Sequence, residues 1–128
     1  MGKIINIGVI GCGQIAQIMH LPYIEEMENF QLYSICDISR HVVDKVGEKY
    51  HLPENRRFTN VDEMLSDSSL EAVVICTNDH YEPGVKAAKA GKHMIIEKPL
   101  AFNLAQADEM IAEAKKSGVI IQVGYMKR

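Results

Sequence analysis

From end to end the chain alternates short strand-like runs with stretches of helical periodicity, and this alternation restricts its possible folds more than any other feature. Residues 4–10, 31–36, 57–59, 72–76, 93–96 and 119–123 read as six strands. Antiparallel neighbours close with tight turns, whereas parallel neighbours need a crossover that is usually a helix. Between these strands the sequence offers helices rather than hairpin turns. The expectation is an α/β protein built on a mostly parallel sheet.

The helix signals are local. A helix is expected to start within Gly13-Gln14 and run to about His20, and Pro22 opens a short turn to Glu28. Ser39 can cap a helix running through Tyr50, with Val42, Val43, Val46 and Tyr50 on one face. Asn60-Val61-Asp62-Glu63 has the form of a capping box ahead of Met64 and Leu65. A helix through Val85 and Ala88 stops at Gly91, which tolerates the left-handed cap position. Asn103 with Gln106 suggests another capping box, followed by an apolar stripe of Leu104, Ala107, Ile111 and Ala114 that ends at Gly118. Six strands with these crossovers suit a doubly wound Rossmann sheet in the order 3-2-1-4-5-6.

With 128 residues, 47% of them hydrophobic and 24% charged, the chain is one ordinary domain with a real core. A net charge of -3 gives no reason to expect nucleic acid or an acidic membrane as partner. No apolar stretch approaches the roughly 20 residues that span a bilayer. Met1-Gly2-Lys3 runs straight into a strand without a signal-peptide layout, and the three thiols that follow are read as those of a cytoplasmic protein. Cys12, Cys36 and Cys76 are odd in number and contain no Cys-x-x-Cys pair. Buried reduced thiols are expected rather than disulfides or zinc ligands, and the histidines show no metal-ligand spacing.

The first strand ends in Gly11-Cys12-Gly13-Gln14-Ile15-Ala16. Gly11 permits the tight turn, Gly13 keeps side-chain bulk away from an approaching pyrophosphate, and Ala16 lets helix and strand pack closely. Amides at the helix start, around Gln14 and Ile15, would face the phosphates. Asp37 closes the second strand, where an acidic group accepts ribose hydroxyls and favours NAD. Arg40 leaves NADP open, because a nearby arginine can accommodate a 2′-phosphate. The spacing from Gly11 to Asp37 exceeds the usual value of about 20 residues, and the turn at 22–28 could absorb the excess. Cys12, within the glycine turn, is expected to be a small filler, with a reactive thiol as the alternative.

A second cluster follows the fourth and fifth strands: Thr77, Asn78 and His80, then Glu97-Lys98-Pro99. In open α/β sheets ligands bind beyond those strand ends. A glutamate and a lysine at the carboxyl end of a later parallel strand suggest where chemistry could take place. His80 could approach the ligand or simply begin the next helix.

Residues 7–13, Cys76-Thr77-Asn78 with His80, Gly91-Lys92-His93 running into Glu97-Lys98-Pro99-Leu100-Ala101, and residues 123–128 together resemble the glucose–fructose oxidoreductase and inositol dehydrogenase family. The resemblance covers essentially the whole chain. It implies the amino-terminal NAD(P)-binding domain, residues 1–128, of an oxidoreductase acting on a sugar, polyol or related small molecule. It also implies Lys98 as the catalytic residue beside the nicotinamide, with Glu97 positioning the cofactor and Asn78 in the loop passing the ring. Members of the family carry a carboxyl-terminal domain that supplies most of the substrate pocket and commonly the oligomer interface. This chain is expected to lack it, and the full-length protein is expected to be a homo-oligomer. A non-enzymatic dinucleotide module is the second hypothesis. An S-adenosylmethionine methyltransferase is a third, against which Glu97-Lys98-Pro99 and the sixth strand argue.

Overall fold

One parallel sheet organises the computed structural model, which describes residues 4–13, 24, 28–77, 81–96 and 104–123. Its strands are β1 (Ile5–Ile10), β2 (Phe30–Cys36), β3 (Arg57–Phe58), β4 (Ala72–Ile75), β5 (His93–Ile96) and β6 (Ile121–Val123). They lie in the order β3-β2-β1-β4-β5-β6, and every neighbouring pair is parallel. Among the described residues the main α-helices are α1 (Arg40–Lys49), α2 (Val61–Leu65), α3 (Tyr81–Lys89) and α4 (Leu104–Ser117), with a 3-10 turn at Glu54–Arg56 before β3. The expected helix from Gly13-Gln14 to His20 and most of the 22–28 turn lie outside the described residues.

Side chains alternate across the sheet, so consecutive residues feed two cores. Ile7, Val9, Leu32, Ile35 and Val74 pack with Val43 and Val46 of α1 on one face. Ile10, Val73, Ile75, Met94 and Ile96 pack with α2, α3 and α4 on the other. The switch of β4 from Val73 to Val74 to Ile75 shows the alternation within one strand. Each fully buried aliphatic side chain is worth about 1.5–3 kcal/mol, so the doubly wound arrangement is held mainly by these two layers.

Three helices end in the same way. The N–H of the residue after the cap returns to the second-last carbonyl and the next N–H reaches one residue further back, a Schellman arrangement. In α1 these bonds are His51 to Glu48 (3.3 Å) and Leu52 to Gly47 (2.8 Å). In α3 they are Gly91 to Ala88 and Lys92 to Ala87 (3.0 Å each), and in α4 Gly118 to Lys115 (3.3 Å) and Val119 to Ala114 (3.0 Å). Val119 is thereby committed to the helix cap, which is why β6 starts at Ile121 rather than at 119. Lys92, only 6% exposed, donates from Nζ to the Asp67 (2.8 Å) and Leu70 (2.7 Å) carbonyls and ties the loop before β4 to the start of β5.

Pairing of β1 with β2 slips by one residue. Ile7 faces Leu32 but Gly8 faces Ser34, leaving Tyr33 as an extra residue in β2. The Arg56 guanidinium lies over the Tyr33 ring, 4.2 Å from its centroid. A Cβ at Gly8 would meet the tip of the Met64 side chain, so α2 packs its methionine directly onto the bare backbone of β1.

Two expectations are corrected. On α4 the buried residues are Met110 and Ala114, whereas Leu104 is 82% and Ile111 41% exposed. The helix lies outermost and touches its neighbours along one narrow stripe, so half of the apparent apolar face stays in solvent. Cys76 is only partly buried, because β4 pairing ends at Ile75.

His51 holds φ +59° at the position where Gly91 and Gly118 stand in the other two caps. A side chain in this conformation costs about 1 kcal/mol, so His51→Gly is expected to raise stability by roughly 0.5–1 kcal/mol in urea unfolding. An unchanged or lower midpoint would show that no strain resides there.

Candidate functional site

The order of strands reverses at β1, which has β2 on one side and β4 on the other. Ligands of open α/β sheets bind in the crevice outside the carboxyl ends of the strands at such a point. The described residues form a cleft of about 390 Å³ there, lined by Gly11, Gly13, Asp37, Ile38, Val61 and Thr77 among others. A larger depression of about 520 Å³ lies at the amino ends of β4 and β5, around Glu71, Lys92 and His93. It lies away from the carboxyl ends of the strands, where open α/β sheets bind ligands, so size alone does not mark the site.

Backbone hydrogen bonds lock the three strand ends together. Gly11 N–H donates to the Cys36 carbonyl (2.7 Å) and Cys76 N–H to the Ile10 carbonyl (2.8 Å). Gly11 has φ +91°, and a Cβ there would stand 3.0 Å from the backbone of Cys76 and Thr77. Both the turn and the close approach therefore require glycine. At Gly13 a Cβ would meet nothing within 4 Å, so the missing side chain leaves open space beside the backbone.

Asp37 is the hinge of the cleft. Its Oδ2 accepts from the Cys12 N–H at 2.8 Å and its Oδ1 accepts from the Ser39 N–H at 3.0 Å. Ser39 in turn caps α1 by accepting from the Val42 N–H at 3.3 Å. Each carboxylate oxygen keeps a further lone pair for another donor. Asp37 N–H also donates to the Phe58 carbonyl (3.1 Å), anchoring the end of β2 to β3. Ile38, 95% exposed, stands uncovered at the cleft mouth.

Arg40 turns elsewhere. Its Nη1 is 3.4 Å from the Arg57 carbonyl and 3.7 Å from Asp44 Oδ1. Thr77 lines the cleft beside Gly11 and Gly13. Gln14, Ile15, Asn78, His80, Glu97 and Lys98 lie outside the described residues. Sequence reasoning missed Ile38, Thr59 and Val61 as cleft residues. Ile38 left one signal, an apolar residue between Asp37 and Ser39 where no core needs it.

Cys12 is fully buried beneath the turn, with Sγ 3.6 Å from the Cys36 carbonyl. Burial, then the nearby Asp37 charge, pushes its pKa up from 9.0 to about 12. The same two causes, in the same order, raise Cys36 to about 11. Cys12 is therefore a protonated filler and not a nucleophile. Among the described residues no histidine, cysteine and carboxylate group could hold a metal ion. Nor is any described helix long and apolar enough to cross a membrane.

Residues 5–125 match the family model described as oxidoreductase family, NAD-binding Rossmann fold, the GFO/IDH/MocA group. The chain belongs to this family. Myo-inositol 2-dehydrogenase of Thermotoga maritima is 38% identical over 125 residues, covering 96% of this chain and 36% of that protein. A 3-ketoreductase from Actinomadura kijaniata, solved with TDP-benzene and NADP, superposes with a TM-score of 0.87 at 26% identity, covering 94% of this chain and 38% of that one. A dehydrogenase from Bordetella pertussis, solved with NADH and UDP-GlcNAcA, gives 0.87 at 26%, covering 94% and 35%. The chain thus spans about a third of the length of these relatives, and the portion it matches is the family's NAD-binding Rossmann domain. The glycines at the turn and the spare lone pairs of Asp37 fit such a dinucleotide.

The buried thiols carry a pH dependence with a defined sign. Unfolded thiols release protons near pH 9, whereas folded Cys12 and Cys36 hold theirs to about 12 and 11. The native state binds more protons across that window, so stability falls as pH rises above 9, by up to about 1.4 kcal/mol per pH unit for each thiol. Urea unfolding between pH 8 and 10.5 should show this decline, with a shallower slope in Cys12→Ala. An identical slope in the variant would remove Cys12 as a cause.

Proposed function

We propose that the chain is the cofactor-binding domain of an NAD(P)-dependent oxidoreductase that transfers hydride between the nicotinamide and an oxygen-bearing carbon of a sugar, polyol or related small molecule. The observation that carries this is the Asp37 carboxylate fixed on the amide of the glycine turn, at the reversal point of the sheet. In this assignment the backbone around Gly11, Gly13, Gln14 and Ile15 receives the diphosphate. Asp37 accepts the ribose hydroxyls through its remaining lone pairs, and Thr77, Asn78, His80 and Glu97 border the nicotinamide half. Lys98 is the catalytic residue, holding a proton at the substrate oxygen and offsetting the charge that develops there. The bound nicotinamide would supply or take up the hydride.

NAD is the cofactor favoured here. A 2′-phosphate would meet the Asp37 carboxylate, while Arg40 is engaged with Asp44 and the Arg57 carbonyl. A carboxyl-terminal domain outside this chain is assigned the substrate pocket and the homo-oligomer contacts, and the intact protein is assigned to the cytoplasm. The 128-residue chain alone is then a cofactor binder without turnover.

Two experiments test this. Asp37→Asn keeps an acceptor for the Cys12 amide but removes the charge. NADH affinity should drop about tenfold while the NADPH-to-NADH ratio rises, and unchanged affinities for both would defeat the assignment. In the full-length enzyme Lys98→Ala should lower kcat by about 10²–10⁴-fold with little change in NADH affinity. Retained kcat would exclude Lys98 from the chemistry.

A further inference from the structure

The cleft does not end at Val61 and Thr77. Those two residues and Ile10 also line an adjoining slot of about 200 Å³, whose walls are otherwise Pro83, Glu82 and Lys86. Ile10, Val61 and Pro83 offer flat apolar contact. Glu82 and Lys86 stand one turn apart on α3 and bring charge to it. Lys86 Nζ lies 3.5 Å from Glu82 Oε1 and 3.2 Å from Asp62 Oδ2. An ammonium has three donors, so one remains after these two contacts. Glu82 Oε2 has no partner among the described residues.

Resting on the dinucleotide assignment above, we propose that the Glu82–Lys86 pair reads the hydrogen-bonding edge of the cofactor's purine base and selects adenine. A ribose held at Asp37 leaves its base to enter the neighbouring space, and the slot is the apolar continuation of that cleft. Phosphate is a poor occupant, because the Asp62 and Glu82 carboxylates outnumber the Lys86 ammonium at its rim. A base presents two flat faces to the apolar walls and a polar edge to the charged pair. On adenine that edge offers an exocyclic amine donor beside a ring-nitrogen acceptor. The amine is matched by the Glu82 carboxylate and the ring nitrogen by the spare Lys86 donor. On hypoxanthine both roles reverse: a carbonyl replaces the amine and the ring nitrogen carries a proton. The same pair then opposes acceptor to acceptor and donor to donor, and pairing lost at a fixed site is the basis of discrimination. Because Glu82 and Lys86 keep contact with water, the preference is modest rather than absolute.

Calorimetric titration of the chain with NADH and with the reduced nicotinamide hypoxanthine dinucleotide reads the effect directly. The wild type should bind NADH about fivefold more tightly. Glu82→Ala, at an exposed position where circular dichroism verifies the fold, should bring the two within about twofold, consistent with the loss of a single hydrogen bond. Asp37→Asn should weaken both ligands and preserve their ratio. Equal wild-type affinities, with Asp37→Asn still weakening both, would overturn base reading and leave the dinucleotide assignment standing. Persistence of the preference in Glu82→Ala would also overturn it. Failure of both ligands to bind would overturn the dinucleotide assignment and base reading with it.

Discussion

The hydrogen bond from the Cys12 amide to the Asp37 carboxylate joins the ends of β1 and β2, and the geometry of the cleft depends on it. The two residues are 25 apart in sequence and meet only because their strands lie side by side. The same carboxylate organises the turn into α1 through Ser39. A single charged group therefore sets the glycine turn, the start of a helix and the wall of the cleft. Charge-assisted bonds of this kind are roughly twice as strong as neutral ones, which suits a group that must also hold still for a ligand.

Register is what delivers Asp37 to that place. Beyond the extra residue at Tyr33, Cys36 falls opposite Ile10, and Asp37 then lies level with the turn. Without the slip, each later residue of β2 would point to the opposite face, because side chains alternate with period two. Bulges commonly re-aim a side chain near a site, and the Arg56 contact with Tyr33 stabilises this one from outside the ladder. The long stretch between Gly11 and Asp37 includes this residue as well as the crossover.

Much of the fold was legible from local signals. Caps at Ser39 and Asn60 stand where the sequence puts them, since an N-cap needs only one side-chain oxygen and an amide two or three residues on. Gly91 and Gly118 end their helices as expected. The α1 cap was less visible, because His51 occupies the left-handed position without the glycine that announces it. The apolar stripe on α4 was read too broadly: periodicity shows that Leu104 and Ile111 share a face with Ala114, but not how wide a neighbour that face finds.

By itself the sequence determined the class of sheet, the strand order and the family, because these follow from the alternation of apolar runs and helices and from short motifs whose chemistry is local. It also named Gly11, Gly13 and Asp37 as one group. Only the tertiary structure decided that Asp37 is tied to Cys12, that Arg40 reaches the Arg57 carbonyl, that Cys12 is sealed from solvent, and that Glu82 and Lys86 border the same cleft. Each of these depends on pairs far apart in the chain or on burial. Both are fixed by how strands register and helices pack, and a linear pattern carries no measure of either.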